Sequence, residues 1–276
     1  MTTQAQKAAA FRALHERDGA FIIPNPWDAG TARLLTALGF EALATTSLGL
    51  ANTLGRADGT GAVSRAEVLA NCAEIAGATH LPLSADLENC YAHEPRAAAE
   101  MIRLAAQAGV VGGSIEDATG DAQQPIYEFE LAIERVHAAA EMAHSLPFPF
   151  TLTARAENFL HGRRDLDDTI RRLQAFEKAG ADVLYAPGLR DLATMRTVAS
   201  SVKKPLNVVM SAADPALTAA QLAQAGVKRI SIGGALSRLA LASVLRAAHE
   251  MKEQGGFTWI TDTVSAKELN RLFHAS

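Results

Sequence analysis

A short punctuation recurs four times in this chain, each time where a helical segment gives way to an apolar run: Leu38-Gly39-Phe40, Ala108-Gly109-Val110, Ala179-Gly180-Ala181 and Ala225-Gly226-Val227. A glycine just past a helix accepts the left-handed conformation that ends it, so each instance reads as helix, cap, strand. Apolar runs of strand length lie at Ala20-Phe-Ile-Ile23, Ala42-Leu-Ala-Thr45, Leu81-Pro-Leu-Ser84, Val110-Val-Gly-Gly-Ser-Ile115, Phe150-Thr-Leu-Thr153, Asp182-Val-Leu-Tyr185, Leu206-Asn-Val-Val209 and Arg229-Ile-Ser-Ile232. They are short and alternate poorly, as parallel strands buried on both faces do. Helical patterns fill the gaps, at residues 31–38, 64–76, 95–108, 127–143, 165–179, 192–200, 218–225 and 237–254, and Ser64 three residues before Glu67 forms a capping box. Eight strands alternating with eight helices predict an α/β chain folded as a (β/α)8 TIM-type barrel. A doubly wound open sheet is the alternative, but no Gly-x-Gly-x-x-Gly follows the first strand.

No composition shift divides the 276 residues, so the expectation is one barrel domain over 1–276, with 255–276 as a C-terminal helical extension. The residues before the first strand read as a short amphipathic helix rather than a secretory or transit signal, since they lack a continuous apolar core and carry Glu16 and Asp18. With 26 Lys+Arg against 30 Asp+Glu, the net charge of −4 argues against nucleic acid as a partner. The most apolar later stretch, Ala235 to Ala248, is broken by Arg238 and Arg246, so no membrane span is expected. Cys72 and Cys90 are too few for a disulfide scaffold or a cysteine zinc site, which suggests a reducing, cytoplasmic compartment.

The strand spacing is longest after strands two and four. In a barrel the segments that follow strands form the catalytic face, so Leu48–Val63 and Ala118–Pro125, rich in Gly, Thr, Asp and Asn, are expected to be mobile substrate-covering loops. Carboxylates stand just beyond the strands: Asp86 and Glu88 after the third, Glu116 and Asp117 after the fourth. Alternation in an extended segment would point Asp86 and Glu88 to one side, within reach of Glu116 on the neighbouring strand. Three gathered acids raise one another's pKa or recruit a cation, and all-oxygen ligation suits Mg2+, with Mn2+ possible. The alternative is that they cap helices or pair with arginines. Arg155, closing strand five, can hold a substrate anion or form a buried ion pair with Glu116 or Glu157. Asp58 alone reads as a turn residue or an outer partner of the acids.

Other motifs are missing or weak. There is no P-loop and no Gly-x-Ser-x-Gly elbow. Cys90 suits packing better than nucleophilic catalysis, and His161 beside Arg163 and Arg164 suits a solvated loop.

With these residues assembled, the chain resembles the isocitrate lyase/phosphoenolpyruvate mutase superfamily. The match runs from Asn25-Pro-Trp-Asp-Ala-Gly-Thr-Ala-Arg33 through Thr46-Ser-Leu-Gly-Leu-Ala-Asn-Thr-Leu-Gly-Arg-Ala-Asp58, Asp86-Leu-Glu88, Ile115-Glu-Asp117 and Ala154-Arg155 to Ser231-Ile-Gly-Gly234. The resemblance implies a barrel that binds Mg2+ and a small 2-oxo acid or related carboxylate. It implies Asp86 as the direct metal ligand, Glu88 and Glu116 holding metal-bound waters, and Asp58 nearby. Thr46, Ser47, Leu48 and Asn207 are the implied substrate contacts, and Arg155 would neutralise developing charge. Glu88 stands where the family more commonly has aspartate. The lid segment, Ala118-Thr-Gly-Asp-Ala-Gln-Gln-Pro125, lacks the Lys-Lys-Cys-Gly of the cleaving lyases and the lysine of phosphonopyruvate-processing members. The proton for an enolate must then come from water, Thr119, Asp121, Tyr185 or His161. Related proteins exchange C-terminal helices, so Phe257–Ile260 and the capped helix near Ser265 are expected to serve a homo-oligomer, a dimer of dimers. The leading expectation is a Mg2+-dependent lyase that cleaves or decarboxylates a small 2-oxo or 2-hydroxy acid, a dicarboxylate. Phosphonopyruvate mutase or hydrolase chemistry, and a non-catalytic 2-oxo acid binding barrel, are the alternatives.

Overall fold

Eight parallel strands form one sheet in the order β1-β8-β7-β6-β5-β4-β3-β2. They span Phe21–Ile23, Leu43–Ala44, Leu83–Ala85, Gly112–Glu116, Thr151–Arg155, Val183–Tyr185, Leu206–Val209 and Val227–Ser231, numbered β1 to β8. The computed structural model describes residues 2–274. The ring closes where the Ala44 N–H donates to the Pro24 carbonyl at 3.1 Å, joining β2 to the end of β1. All eight expected strands are present. Gly39, Gly109, Gly180 and Gly226 all have positive φ, from +83° to +108°, as the helix-ending reading requires.

Eleven helices among the described residues surround this ring: α1 Gln4–Glu16, α2 Ala29–Ala37, α3 Ser47–Thr53, α4 Arg65–Ala78, α5 Pro95–Gln107, α6 Phe129–Ser145, α7 Leu166–Lys178, α8 Leu192–Ser200, α9 Ala219–Gln224, α10 Ala235–Gln254 and α11 Ala266–His274. The capping box of Ser64 and Glu67 opens α4. Helix α1 closes the amino-terminal end of the barrel, burying Ala8, Phe11 and Leu14 against Phe21, Ile23, Ala42 and Val111. Cys72 and Cys90 are unpaired and buried in the main core, where burial pushes both thiols up to about 12 and disfavours the thiolate. Among the described residues, no helix is long and apolar enough to cross a membrane.

One expectation needs correction. The segment after β2 is not wholly a loop, because α3 occupies its first part. Its signal was hidden by Gly49, which reads as a loop residue. A Cβ there would lie 2.6 Å from Thr46 Cγ2 and 2.8 Å from Trp27 Cβ, so the glycine serves close packing while the Thr46 hydroxyl caps the helix by accepting the Gly49 N–H.

Helix α10 stands largely uncovered by the ring. Of the described side chains of α10 only that of Ser237 is buried, and Leu239, Val244 and Leu245 are about 60% exposed. Phe257, Ile260 and Val264 are exposed as well, and α11 lies beside α2.

Candidate active site

The strand register lines up one row of side chains across five adjacent strands: Glu116 pairs with Arg155, Arg155 with Tyr185, Tyr185 with Asn207 and Asn207 with Arg229. Strand β3 stops at Ala85, one residue before Asp86. The Asp86 N–H donates to Thr45 Oγ1 at 2.8 Å, and its carboxylate accepts the Ser47 N–H at 3.1 Å, at the start of α3. Arg155 Nη1 completes this arrangement, 2.8 Å from Asp86 Oδ1.

Beyond Asp86 the chain does not continue as a strand, so strand alternation is not what places Glu88. Leu87 enters the core, and Glu88, Cys90 and Tyr91 take left-handed backbone, with φ of +48°, +60° and +54°. Such conformations cost of order 1 kcal/mol or more for residues with a Cβ and persist only where surroundings impose them. Here the turn is held by the Cys90 N–H on the Leu87 carbonyl at 2.8 Å and by the Tyr91 hydroxyl, which donates to the Glu88 carboxylate. The Glu116 N–H donates to the Glu88 carbonyl at 3.1 Å, tying the turn to β4.

Arg155 sits at the junction of these acids. It reaches Glu116 at 3.2 Å and Glu157 at 2.8 Å, as well as Asp86, so both anticipated ion pairs form. It still faces open space. A cavity of about 290 Å3 inside the barrel mouth is lined by Asp58, Asp86, Arg155, Tyr185, Asn207 and Arg229. A second, of about 710 Å3, lies toward the lid and is lined by Glu88, Tyr91, Glu116, Thr119 and His161. Ser47, Asp58 and Arg155 line both.

The electrostatics follow from this crowding. Burial raises the carboxyls of Asp58, Glu88 and Glu116 above their ordinary range, Glu116 well above it. Repulsion from Asp86 adds to each of the three, and Arg155 opposes it. Burial also works against the Arg155 cation, but Glu116, Glu157 and Asp86 outweigh it and keep the guanidinium charged.

Among the described residues, no three His, Cys, Asp or Glu side chains come close enough together to hold a metal directly. The donor set nevertheless suits a hard, hydrated cation. The carboxylates of Asp58, Asp86, Glu88 and Glu116 line the two cavities around Arg155, which borders both, and all these acidic donors are oxygens. Mg2+ keeps several waters and takes one or two protein carboxylates directly, which is the demand this arrangement meets.

Other expected residues are placed as follows. Thr46 and Leu48 line the smaller cavity, and Leu48 closes tightly on the start of α10, where a Cβ on Gly234 would lie 2.0 Å from Leu48 Cδ2. The Thr119 hydroxyl is engaged by its own loop, accepting the Asp121 N–H and donating to the Gln124 carbonyl. That loop is drawn into a short hairpin by an antiparallel bridge between Ala118 and Ile126. His161 is exposed at the rim of the larger cavity, and the Tyr185 ring lies 5.1 Å from the Arg155 guanidinium carbon. Sequence reading missed Tyr91, Ser114, Ser231 and Arg229. For Arg229 a signal was present: it stands two residues before Ser231 in the strand Val227-Lys-Arg-Ile-Ser231 and so faces the same way as that serine.

The profile of the phosphoenolpyruvate phosphomutase family matches residues 11–252. The chain belongs to the isocitrate lyase/phosphoenolpyruvate mutase superfamily. One superfamily relative, an oxaloacetate decarboxylase from Ectopseudomonas mendocina, is 28% identical over 255 residues, covering 90% of this chain and 84% of the relative. A crystal structure of a lyase/mutase candidate from Burkholderia cenocepacia J2315 has a TM-score of 0.95 at 57% identity, covering 98% of this chain and 96% of that one. Phosphonopyruvate hydrolase, solved with oxalate and Mg2+, shares the superfamily barrel at a TM-score of 0.86 and 24% identity, over 99% and 95% of the two chains.

Proposed function

We propose that this chain is a Mg2+-dependent lyase that cleaves or decarboxylates a carbon–carbon bond in a small 2-oxo or 2-hydroxy carboxylic acid. The observation that carries this reading is Arg155 pinned among carboxylates where two cavities meet: Asp58 and Asp86 line the one of about 290 Å3, room for an acid of a few carbons, and Asp58, Glu88 and Glu116 line the other. In this reading Asp86 holds the metal directly, and Glu88, Glu116 and Asp58 hold its waters. The ion would supply Lewis-acid stabilisation to an enolate, lowering the barrier to breaking the adjacent bond.

The chain's own groups do the rest. Arg155, fixed by three carboxylates and kept charged, faces the substrate and offsets the negative charge that grows as the bond breaks. Because its partners already hold it in place, little reorganisation is needed at that moment. Thr46, Ser47 and Leu48, at the start of α3, line the substrate's side of the cavity together with Asn207. The lid hairpin borders the larger cavity, and protonation of the enolate takes place from that side, by water, since the Thr119 hydroxyl donates to the Gln124 carbonyl of its own loop. The oxaloacetate decarboxylase relative and the oxalate and Mg2+ bound to phosphonopyruvate hydrolase support this choice of substrate and metal.

The test is release of pyruvate or glyoxylate from a panel of 2-oxo and 2-hydroxy acids, with and without EDTA. Turnover abolished by EDTA and by Asp86→Ala is expected; turnover indifferent to both overturns the metal role. The family profile also favours a second reading, P–C bond chemistry on phosphonopyruvate, which phosphorus NMR separates from the first. Tight oxalate binding with no turnover of any acid would instead mark a non-catalytic binding barrel.

A further inference from the structure

Arg229 is a buried cation without an acid. It lies within β8, is only 6% exposed, and lines the smaller cavity at its deep end. Its Nε donates to Asn207 Oδ1 at 2.8 Å, and its Nη2 crosses the barrel to Thr153 Oγ1 at 2.9 Å. Nη1 is buried and has no hydrogen-bond partner. Among the described residues no carboxylate lies within ion-pair distance of it, in contrast to Arg155, which has three. A guanidinium carries five N–H donors and no acceptor, and burying it uncompensated is unfavourable unless something in the cavity completes it.

The neighbours are arranged to keep that fork in place. Because a guanidinium cannot accept a hydrogen bond, Asn207 must turn its oxygen toward Arg229, which leaves its amide to donate to Ser231 Oγ at 3.1 Å. Ser231 in turn donates to the Val208 carbonyl at 3.2 Å. The uncapped start of α10, at Gly233 and Gly234, borders the same cavity, and an uncapped helix start adds positive potential there. The cavity is therefore polarised: Asp58, Asp86 and Arg155 line it together with two further cations, the exposed Arg238 and the buried, unsatisfied Arg229.

We propose that Arg229 is a specificity-determining residue: its free Nη1 receives the second carboxylate of the expected dicarboxylate substrate, whose 2-oxo or 2-hydroxy acid head lies against Asp58 and Asp86. This deepens the proposed function and rests on it for the placement of the head. Asn207 acts here as a positioning residue for the guanidinium rather than as the main anion contact.

Malate and lactate share a 2-hydroxy acid head and differ by one carboxylate, so calorimetric titration of each, with Mg2+ and without it, reads the contact directly. The wild type is expected to bind malate at least about tenfold more tightly than lactate, and Arg229→Gln to erase that preference while changing lactate affinity by less than about twofold. Arg229→Lys, which keeps the charge but loses the fork, should retain part of the preference and serves if the glutamine variant does not fold. Equal weakening of both ligands, or no preference in the wild type, overturns the proposal. Oxalate titrated with Mg2+ tests the underlying reading separately: its failure to bind the wild type would sink the metal site, whereas the malate-to-lactate ratio alone decides Arg229.

Discussion

Arg155 and His15 show two opposite uses of a buried base. Arg155 is surrounded by Asp86, Glu116 and Glu157, so its charge is secure and its fork geometry is the scarce property. Arg155→Lys preserves the charge and loses the shared contacts, and kcat/KM should fall about 100- to 1,000-fold while the melting temperature changes little. Steady-state kinetics and thermal unfolding on the same preparation check both halves. His15 lies under the barrel floor, donating from Nδ1 to the Phe11 carbonyl at 2.8 Å in the neutral form, with Nε2 unpartnered. Burial pushes its pKa from 6.5 down to about 3, and the positive charge of Arg229 adds to the shift. The unfolded chain therefore takes up a proton below about pH 6.5 that the folded chain refuses until about pH 3, so stability from this residue rises with pH across that window. His15→Phe should flatten the dependence of the urea midpoint on pH between 3 and 6.5. An unchanged slope would show that the histidine does not sense the floor in this way.

Among the elements, α3, which follows β2, meets α10, which follows β8, across the end of β1. Gly234 is required there by Leu48, since a Cβ would fall 2.0 Å from Leu48 Cδ2. Gly234→Ala should push Leu48 toward the smaller cavity and raise KM about tenfold or more, with kcat less affected, because a substrate contact moves but the acids do not. Adding Leu48→Ala should recover part of the loss; a double variant no better than the single one would place the defect elsewhere. This pairing was illegible in the sequence, where Gly49 and Gly55 made the whole segment resemble a loop. Caps were easier to read. The Ser64–Glu67 box and the four helix-ending glycines depend on residues a few positions apart, and local rules sufficed for them.

At the scale of the whole molecule, α10 carries Leu239, Leu241, Val244 and Leu245 exposed, an apolar strip on a helix that the ring does not cover. Helices with such strips are stabilised by burial against a partner. We propose that copies of this chain associate through α10 and the segment that follows it, as a dimer of dimers. Sedimentation should give a species of several times 29.1 kDa, and removing residues 255–276 should reduce its size. A monomer for the intact chain would refute this. Metal binding should be visible in the same molecule without any substrate. Mg2+ at 100 times its Kd adds about 2.7 kcal/mol to the folded state, a rise of several °C in melting temperature that EDTA reverses and Asp86→Ala abolishes.

The alternation of short apolar runs with glycine-terminated helices was enough to determine the barrel, because eight parallel strands can bury their faces in few other ways. The ordered motifs from Asn25 to Gly234 were likewise enough to determine the superfamily and most of the acids at the mouth. What tertiary structure decided is which charges are balanced. Arg155 and Arg229 look alike as isolated letters in two strands, yet register sets the first among three carboxylates and the second among neutral side chains. The turn that aims Glu88 also escaped local rules, since left-handed backbone at Glu88, Cys90 and Tyr91 is imposed by contacts with β4 and the core rather than by the propensities of those residues. Charge pairing and imposed backbone both depend on atoms far apart in the chain, and only the folded arrangement brings those atoms together.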